Sequence, residues 1–257
     1  MRKRIAILSS QLEENYQANF MQGFLAKAFA FDYDVCTFAT YRKYQDTSER
    51  EVGETSIFSL IDYDAFDGVV VLPETLQTPG LMLTLEQDFR EKFQGKILYV
   101  DRKSDEYNYI MLDHYHPIKR MIAHLIEEHG IKDIMYLTGP RYNAHSEQRL
   151  QGFLDCMKEH DIDVREDQIF YGDYWYDGGR DMVKKLFDDG RALPQAIACA
   201  NDLMAIGVAE ALVERGVRVP EDIAVIGYDS VPGKSKSDHL DGYSLQRVRR
   251  ICGSMHG

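Results

Sequence analysis

Residues 198–230 read ACANDLMAIGVAEALVERGVRVPEDIAVIGYDS, and they spell one continuous strand–helix–strand unit. Ala196 to Ala200 is a short apolar run of buried-strand type. Asn201 and Asp202 follow it, two residue types whose side-chain oxygens suit the orphan amide hydrogens of a helix N-terminus. Leu203 to Arg215 has helical apolar spacing, and Gly216 stops it. Val219-Pro220-Glu221-Asp222 turns the chain, and Ile223 to Tyr228 forms a second apolar strand that delivers Asp229 to its carboxyl end. In an open parallel sheet that edge is where ligands bind.

The same alternation runs through the rest of the chain. Strands are expected at Arg4–Leu8, Tyr33–Thr37, Gly68–Leu72, Lys96–Val100, Ile110–Leu112, Asp133–Thr138 and Gln168–Tyr171, with Ala196–Cys199 and Ile223–Ile226 closing the series. Helices lie between them, most clearly at Tyr16–Phe29, Pro117–His129, Ser146–His160 and Asp177–Asp188. Short apolar strands separated by helices are the signature of a parallel sheet covered on both faces, so the fold class is α/β. At 257 residues the chain has material for one large α/β domain or two lobes of ordinary size.

Composition narrows the function classes. A net charge of −12 argues against a nucleic-acid surface, because phosphate binding needs clustered Lys and Arg. The four cysteines, Cys36, Cys156, Cys199 and Cys252, lack CxxC spacing and read as cytosolic thiols. Met1-Arg-Lys-Arg leads directly into Ile5–Leu8, an apolar run too short for a signal peptide or a membrane span, so a cytoplasmic setting is expected. The usual phosphate-loop, nucleophile-elbow and HExxH motifs do not occur, and neither an enzyme nor a cofactor is expected. His114, Tyr115 and His116 precede a helix start at Pro117, where capping or a surface position outweighs metal binding.

The opening segment strongly resembles the effector-binding core of the LacI/GalR family of bacterial regulators. The family pattern stands at Asn201-Asp202, Met204-Ala205, Arg218 to Ile223 and Ile226 to Asp229. With decreasing sharpness the resemblance covers residues 4–230, including Ile131 to Gly139 as a crossover strand and Gln148 to Phe153 as a helix start. It implies the periplasmic-binding-protein-like fold: two Rossmann-like lobes with parallel sheets and a ligand cleft between them. The lobes are expected at residues 1–139 and 140–230, with the division at the Gly139-Pro140 turn signal.

The resemblance also implies binding residues for a small polar ligand such as a sugar, nucleoside or polyol. Arg149 falls where the family places a ligand clamp, a role suited to a planar guanidinium; a surface arginine is the alternative. Asp229 falls where ligand hydroxyls or amines donate to a carboxylate, against a plain turn cap. Asn201 and Asp202 divide between ligand contact and helix capping. Asp101 and Arg102, at the end of Leu98-Tyr-Val-Asp-Arg102, match an acidic or Asp-Arg position facing the cleft, with an intramolecular ion pair as the competing reading. Trp175, the only tryptophan, lies in a Gly-Asp-Tyr-Trp segment where an aromatic face could stack on a ligand or cover the core. The first loop, Ser9 to Tyr16, departs from the family pattern, so Ser9, Gln11 and Tyr16 are pocket candidates by position alone.

The function expected is a small-molecule sensor of LacI type that acts by lobe closure, with a homodimer as the family default. The sensor half of a multidomain signalling enzyme is the first alternative, and a transport-type solute-binding protein the second. The family's helix-turn-helix headpiece has no place before Arg4, so no DNA binding is expected of this chain alone. Residues 231–257 carry Lys234, Lys236, Arg247, Arg249 and Arg250 and depart from the family's return strand to the first lobe. They read as an unstructured basic tail.

Overall fold

The structure is a computed structural model that describes residues 2–41, 53–141 and 143–229. It divides into two units, Met1–Leu112 and Asp113–Gly257. The expected tail at 231–257 and Cys252 lie outside the described residues.

The first unit contains β1 (Lys3–Ser10), α1 (Asn15–Ala30), β2 (Tyr33–Thr40), β3 (Gly68–Val71), α2 (Leu81–Lys92), β4 (Lys96–Val100) and β5 (Asn108–Ile110). Its strands are parallel in the order β2-β1-β3-β4-β5. Because successive strand residues point to opposite faces, each strand feeds two cores. Ala6, Leu8, Val69, Val71 and Tyr99 face one side, with Leu85 and Phe89 of α2. Ile7, Val70 and Val100 face the other, against Phe20 and Phe24 of α1. The apolar stripe of α2 is only Leu81, Leu85 and Phe89, and Gly80 stands where a capping side chain would signal its start. That combination leaves α2 without a clear helical signature in the sequence.

The second unit contains α3 (Tyr115–Glu127), β6 (Ile134–Thr138), α4 (Ala144–Glu159), β7 (Ile169–Tyr171), α5 (Tyr176–Asp188), β8 (Ala196–Cys199), α6 (Asp202–Val213) and β9 (Ala224–Ile226). Its four strands are again parallel, in the order β7-β6-β8-β9. Both sheets therefore reverse direction beside their first strand. The gaps between β1 and β3 and between β6 and β8 are the topological switch points, where the crossover helices leave on opposite faces.

Helix packing in the second unit depends on bare backbone. A Cβ on Gly179 of α5 would collide with the Met204 carbonyl of α6, and one on Gly207 of α6 would collide with the Tyr176 carbonyl of α5. In the other helix pair, a Cβ on Gly152 of α4 would lie 2.6 Å from the Tyr115 carbonyl of α3. Below these contacts Phe153 stacks on Tyr136 of β6, with ring centroids 4.7 Å apart. Helix α6 is buried from Met204 to Leu212, Glu210 included, and the Glu210 carboxylate accepts a hydrogen bond from the Tyr176 hydroxyl. A buried carboxylate without such a donor would be costly.

Three expectations shift. The division between units falls at Leu112–Asp113 and not at Gly139-Pro140. Helix α3 and strand β6 belong to the second unit because Ile118, Ile122 and Leu125 share one core with Phe153, Val183 and Leu212. Strands β1 and β2 run on to Ser10 and Thr40, where the Thr40 hydroxyl donates to the Ser10 hydroxyl at 2.9 Å; buried polar strand ends escape a hydrophobic pattern. Strand β5 ends at Ile110 because Asp101 takes the next stretch, its backbone N–H donating to the Ile110 carbonyl and its carboxylate accepting from the Leu112 N–H. Among the described residues no helix is long and apolar enough to cross a membrane.

A methyl group inserted at Gly179 or Gly207 should lower stability by about 1–3 kcal/mol, the usual range for overpacking. That exceeds the gain of up to about 1 kcal/mol that alanine has over glycine inside a helix. Among the described residues Gly23 of α1 has no neighbour within 4 Å of its would-be Cβ, so Gly23→Ala should stabilise by about 0.5–1 kcal/mol. Urea unfolding followed by circular dichroism, at unchanged slope, checks the contrast; equal effects at the three sites would overturn it.

Candidate functional site

The candidate site residues gather at the carboxyl edge of each sheet, Gln11, Tyr16, Asp101 and Arg102 in the first unit and Arg149, Trp175, Asn201, Asp202 and Asp229 in the second.

In the second unit the sequence places these residues by simple local rules. Strand β8 ends at Cys199, and Asn201 caps α6 by accepting the Met204 N–H at 3.0 Å. Its amide nitrogen donates to the Tyr174 carbonyl at 2.7 Å, which ties the β7–α5 loop to the same helix start. Asp202 is not the cap. Its carboxylate accepts the Asp229 N–H at 3.2 Å, so it joins the end of β9 to the start of α6. Gly227 makes that junction possible, since a Cβ there would strike the Asp202 carboxylate.

Arg149 lies at the centre. It projects from α4 yet is only 8% exposed, which excludes the surface reading. One terminal nitrogen donates to the Ala200 carbonyl at 2.5 Å, spanning the switch point between β6 and β8. The other lies 3.2 Å from Nδ1 of His114. The guanidinium sits over the ring of Tyr228 at 4.2 Å and over that of Tyr174 at 5.6 Å, within cation–π range. Its Nε is buried without a hydrogen-bond partner among the described residues. Tyr174 is held by its hydroxyl, 2.8 Å from that of Ser146 at the start of α4.

Asp229 follows Tyr228 and keeps accessible surface. Burial among the surrounding protein nevertheless pushes its carboxyl above the ordinary carboxylate value; the Arg149 charge offsets part of this, while Asp202 adds to it. A basic guanidinium and a carboxylate at one strand edge can together serve a ligand that both donates and accepts hydrogen bonds.

The first unit has a quieter edge. Asp101 is buried in the left-handed backbone region, at φ 63°, and carries the β4–β5 contacts described above. Arg102 pairs with Glu74 at 2.8 Å, the ion-pair alternative, with Glu74 as partner. Tyr16 keeps 37% of its surface, and burial of its hydroxyl together with the charges of Asp101 and Glu74 raises its pKa. Gln11 also adopts positive φ, and its N–H donates to the Thr40 carbonyl at 2.8 Å. Ser9 lies 3.3 Å from the Thr75 hydroxyl, across the switch point between β1 and β3.

Several residues of the second cluster were not singled out by sequence. Tyr174 and Tyr228 are the rings beside Arg149, whereas Trp175 stands at the N-terminus of α5 with its N–H bonded to Asp173. His114 corrects the expectation of a cap or surface residue. It is buried, stacks on His145 at 4.2 Å and meets Arg149, because Asp113 takes over the capping of α3 by accepting the Tyr115 and His116 N–H groups. Spacing alone gave no sign of the His114–Arg149 contact, since 35 positions separate them.

Comparison with known proteins adds the following. The family described as periplasmic binding protein-like domain matches residues 122–237. The transcriptional repressor PurR of Glaesserella parasuis is 34% identical over 131 residues, which is 51% of this chain and 37% of that protein. PurR of Pectobacterium carotovorum is 26% identical over 230 residues, 89% of this chain and 64% of that protein. The chain thus spans less than two thirds of these relatives. Among solved structures, a sugar-binding LacI-family regulator from Escherichia coli, complexed with phosphate, superposes with a TM-score of 0.68 at 25% identity, covering 89% of this chain and 79% of that one. A lac repressor dimer bound to operator and an anti-inducer shares the fold, with a TM-score of 0.69 at 20% identity over 99% of this chain and 87% of that one.

The Asp229 carboxyl should titrate above 3.8 when followed by carbon-detected NMR, and Arg149→Gln should move it further up by removing the offsetting charge. Because the fold favours the protonated form, this group's contribution to stability is present below pH 3.8 and is lost as pH rises through the folded-state midpoint. A midpoint at or below 3.8 would contradict the assignment.

Proposed function

We propose, for a chain that carries a LacI-type effector-binding core of periplasmic-binding-protein-like fold, that it is the sensor of a cytoplasmic transcriptional regulator for a small polar ligand. The observation that carries the proposal is Arg149, a buried guanidinium fixed across a switch point, with Nε unpaired among the described residues and Asp229 at the same sheet edge. A buried donor left without a partner costs about 1–3 kcal/mol, so a cation in this position is poised for an acceptor. The ligand is of sugar, nucleoside or polyol type. Asp229 accepts from its hydroxyl or amine groups, Arg149 donates to its oxygens, and Tyr174 and Trp175 offer aromatic faces.

Gln11, Tyr16, Asp101 and Arg102 are proposed as the first lobe's contribution, and closure of the two lobes on the ligand as the signal. Such coupling requires a ligand that binds one arrangement of the lobes better than the other. A homodimer fits the dimeric lac repressor among the neighbours. The repressors among the relatives favour a regulatory output over a signalling enzyme, a transport protein or any enzymatic activity.

A thermal-shift screen against sugars, nucleosides and amino acids should give a reproducible rise for one class, since a ligand of the folded state stabilises it by mass action. With that ligand, Arg149→Ala and Asp229→Asn should each weaken binding by about 1.5–3 kcal/mol, the worth of a charge-assisted hydrogen bond. Unchanged affinity in both variants, measured by calorimetry, would remove them from the site.

A further inference from the structure

We infer that His124 and His129 form a two-histidine site for a divalent d-block cation such as Zn²⁺, at the C-terminal end of α3 and on different residues from the candidate ligand site. The Nε2 atoms of the two rings lie 3.2 Å apart, with ring centroids at 4.9 Å and planes at 82°. Two Zn–N bonds of about 2.0–2.1 Å, set at tetrahedral or right angles, place their nitrogens about 2.9–3.4 Å apart. The observed spacing falls inside that interval. Two neutral imidazoles this close either share one proton, an N–H donating to the other ring's lone pair, or share one metal ion. Imidazole nitrogen suits Zn²⁺, Cu²⁺ and Ni²⁺ better than the oxygen-seeking Mg²⁺ or Ca²⁺.

The backbone holds this pair in place. His124 lies in the last turn of α3, and its carbonyl accepts the Glu128 N–H at 3.1 Å. Beyond it Gly130, at φ 65°, allows a tight turn in which its own N–H donates to Ile126 and the Ile131 N–H to Leu125. His129 is therefore carried on a fixed turn. Helix carbonyls at this end present partial negative charge, which favours a cation. Glu127 in the same turn is engaged by His160 at 2.9 Å, and the two imidazoles are the ligands the proposal names. A bound ion would fasten the end of α3 to the turn leading into β6.

The test is calorimetric titration of the chelator-treated full chain with ZnCl₂, in wild type, His129→Ala, His124→Ala, His124→Gln and His116→Ala. His116 is an exposed histidine paired with Asp113 and serves as the control. Wild type and His116→Ala should bind Zn²⁺ alike. Each His124 or His129 variant should lose at least about tenfold in affinity, an effect typical of disturbing a metal site. Saturating ZnCl₂ should also raise the melting temperature of wild type and leave that of the variants unchanged. Absence of Zn²⁺ binding in wild type, or equal binding in all five proteins, would overturn the proposal. His124→Gln keeps a polar side chain and a good helix former at that position, which separates loss of the ligand from loss of the helix end.

Discussion

The second unit depends on how closely its helices can approach one another. Helices α5 and α6 meet backbone against side-chain-free backbone at Gly179 and Gly207, and α3 and α4 do the same at Gly152. Interiors are packed as densely as organic crystals, so a gap of one methyl group is a real constraint. Gly179 packs on the start of α6, Gly207 on the start of α5 and Gly152 on the start of α3. Helix α6 brings Asn201 and Asp202, helix α4 brings Arg149, and Gly227 lets the end of β9 reach Asp202.

Once the helices are placed, polar groups lock the strand edge. Asn201 serves two segments at once, capping α6 and holding the Tyr174 carbonyl. Arg149 spans the switch point to Ala200 and is roofed by two tyrosine rings. These contacts are buried, where hydrogen bonds are costly to leave unmade. The many surface ion pairs, Arg218 with Asp222 or Lys92 with Asp88 among them, carry little by comparison because water and salt screen them. The charged residues that matter most here are those the fold surrounds, Arg149, Asp101 and Glu210.

The two units repeat one plan with different chemistry. Both sheets begin beside their switch point, and in both a polar contact crosses it: Ser9 with Thr75 in the first, Arg149 with Ala200 in the second. The first edge is lined by hydroxyl and amide groups already engaged with the backbone, as when Gln17 donates to the Ser10 carbonyl. The first edge carries a buried carboxylate, Asp101, and the second a buried guanidinium, Arg149.

Through the family resemblance the sequence marked Arg149, and by itself it determined the α/β alternation, the parallel sheets, nearly every strand and the placement of Asn201 and Asp229 at strand ends. Those features follow from local periodicity, caps and turns, which act over a few residues and are written in neighbouring positions. Tertiary structure alone decided that α3 and β6 join the second unit, since a shared core is a property of residues far apart in the chain. It also decided that His114 is buried against Arg149, that Arg102 pairs with Glu74, and that Tyr174 and Tyr228 frame the guanidinium. A side chain's partners across 28 to 35 positions depend on where helices come to rest, and the glycine contacts that set those resting places have no side chain to announce them.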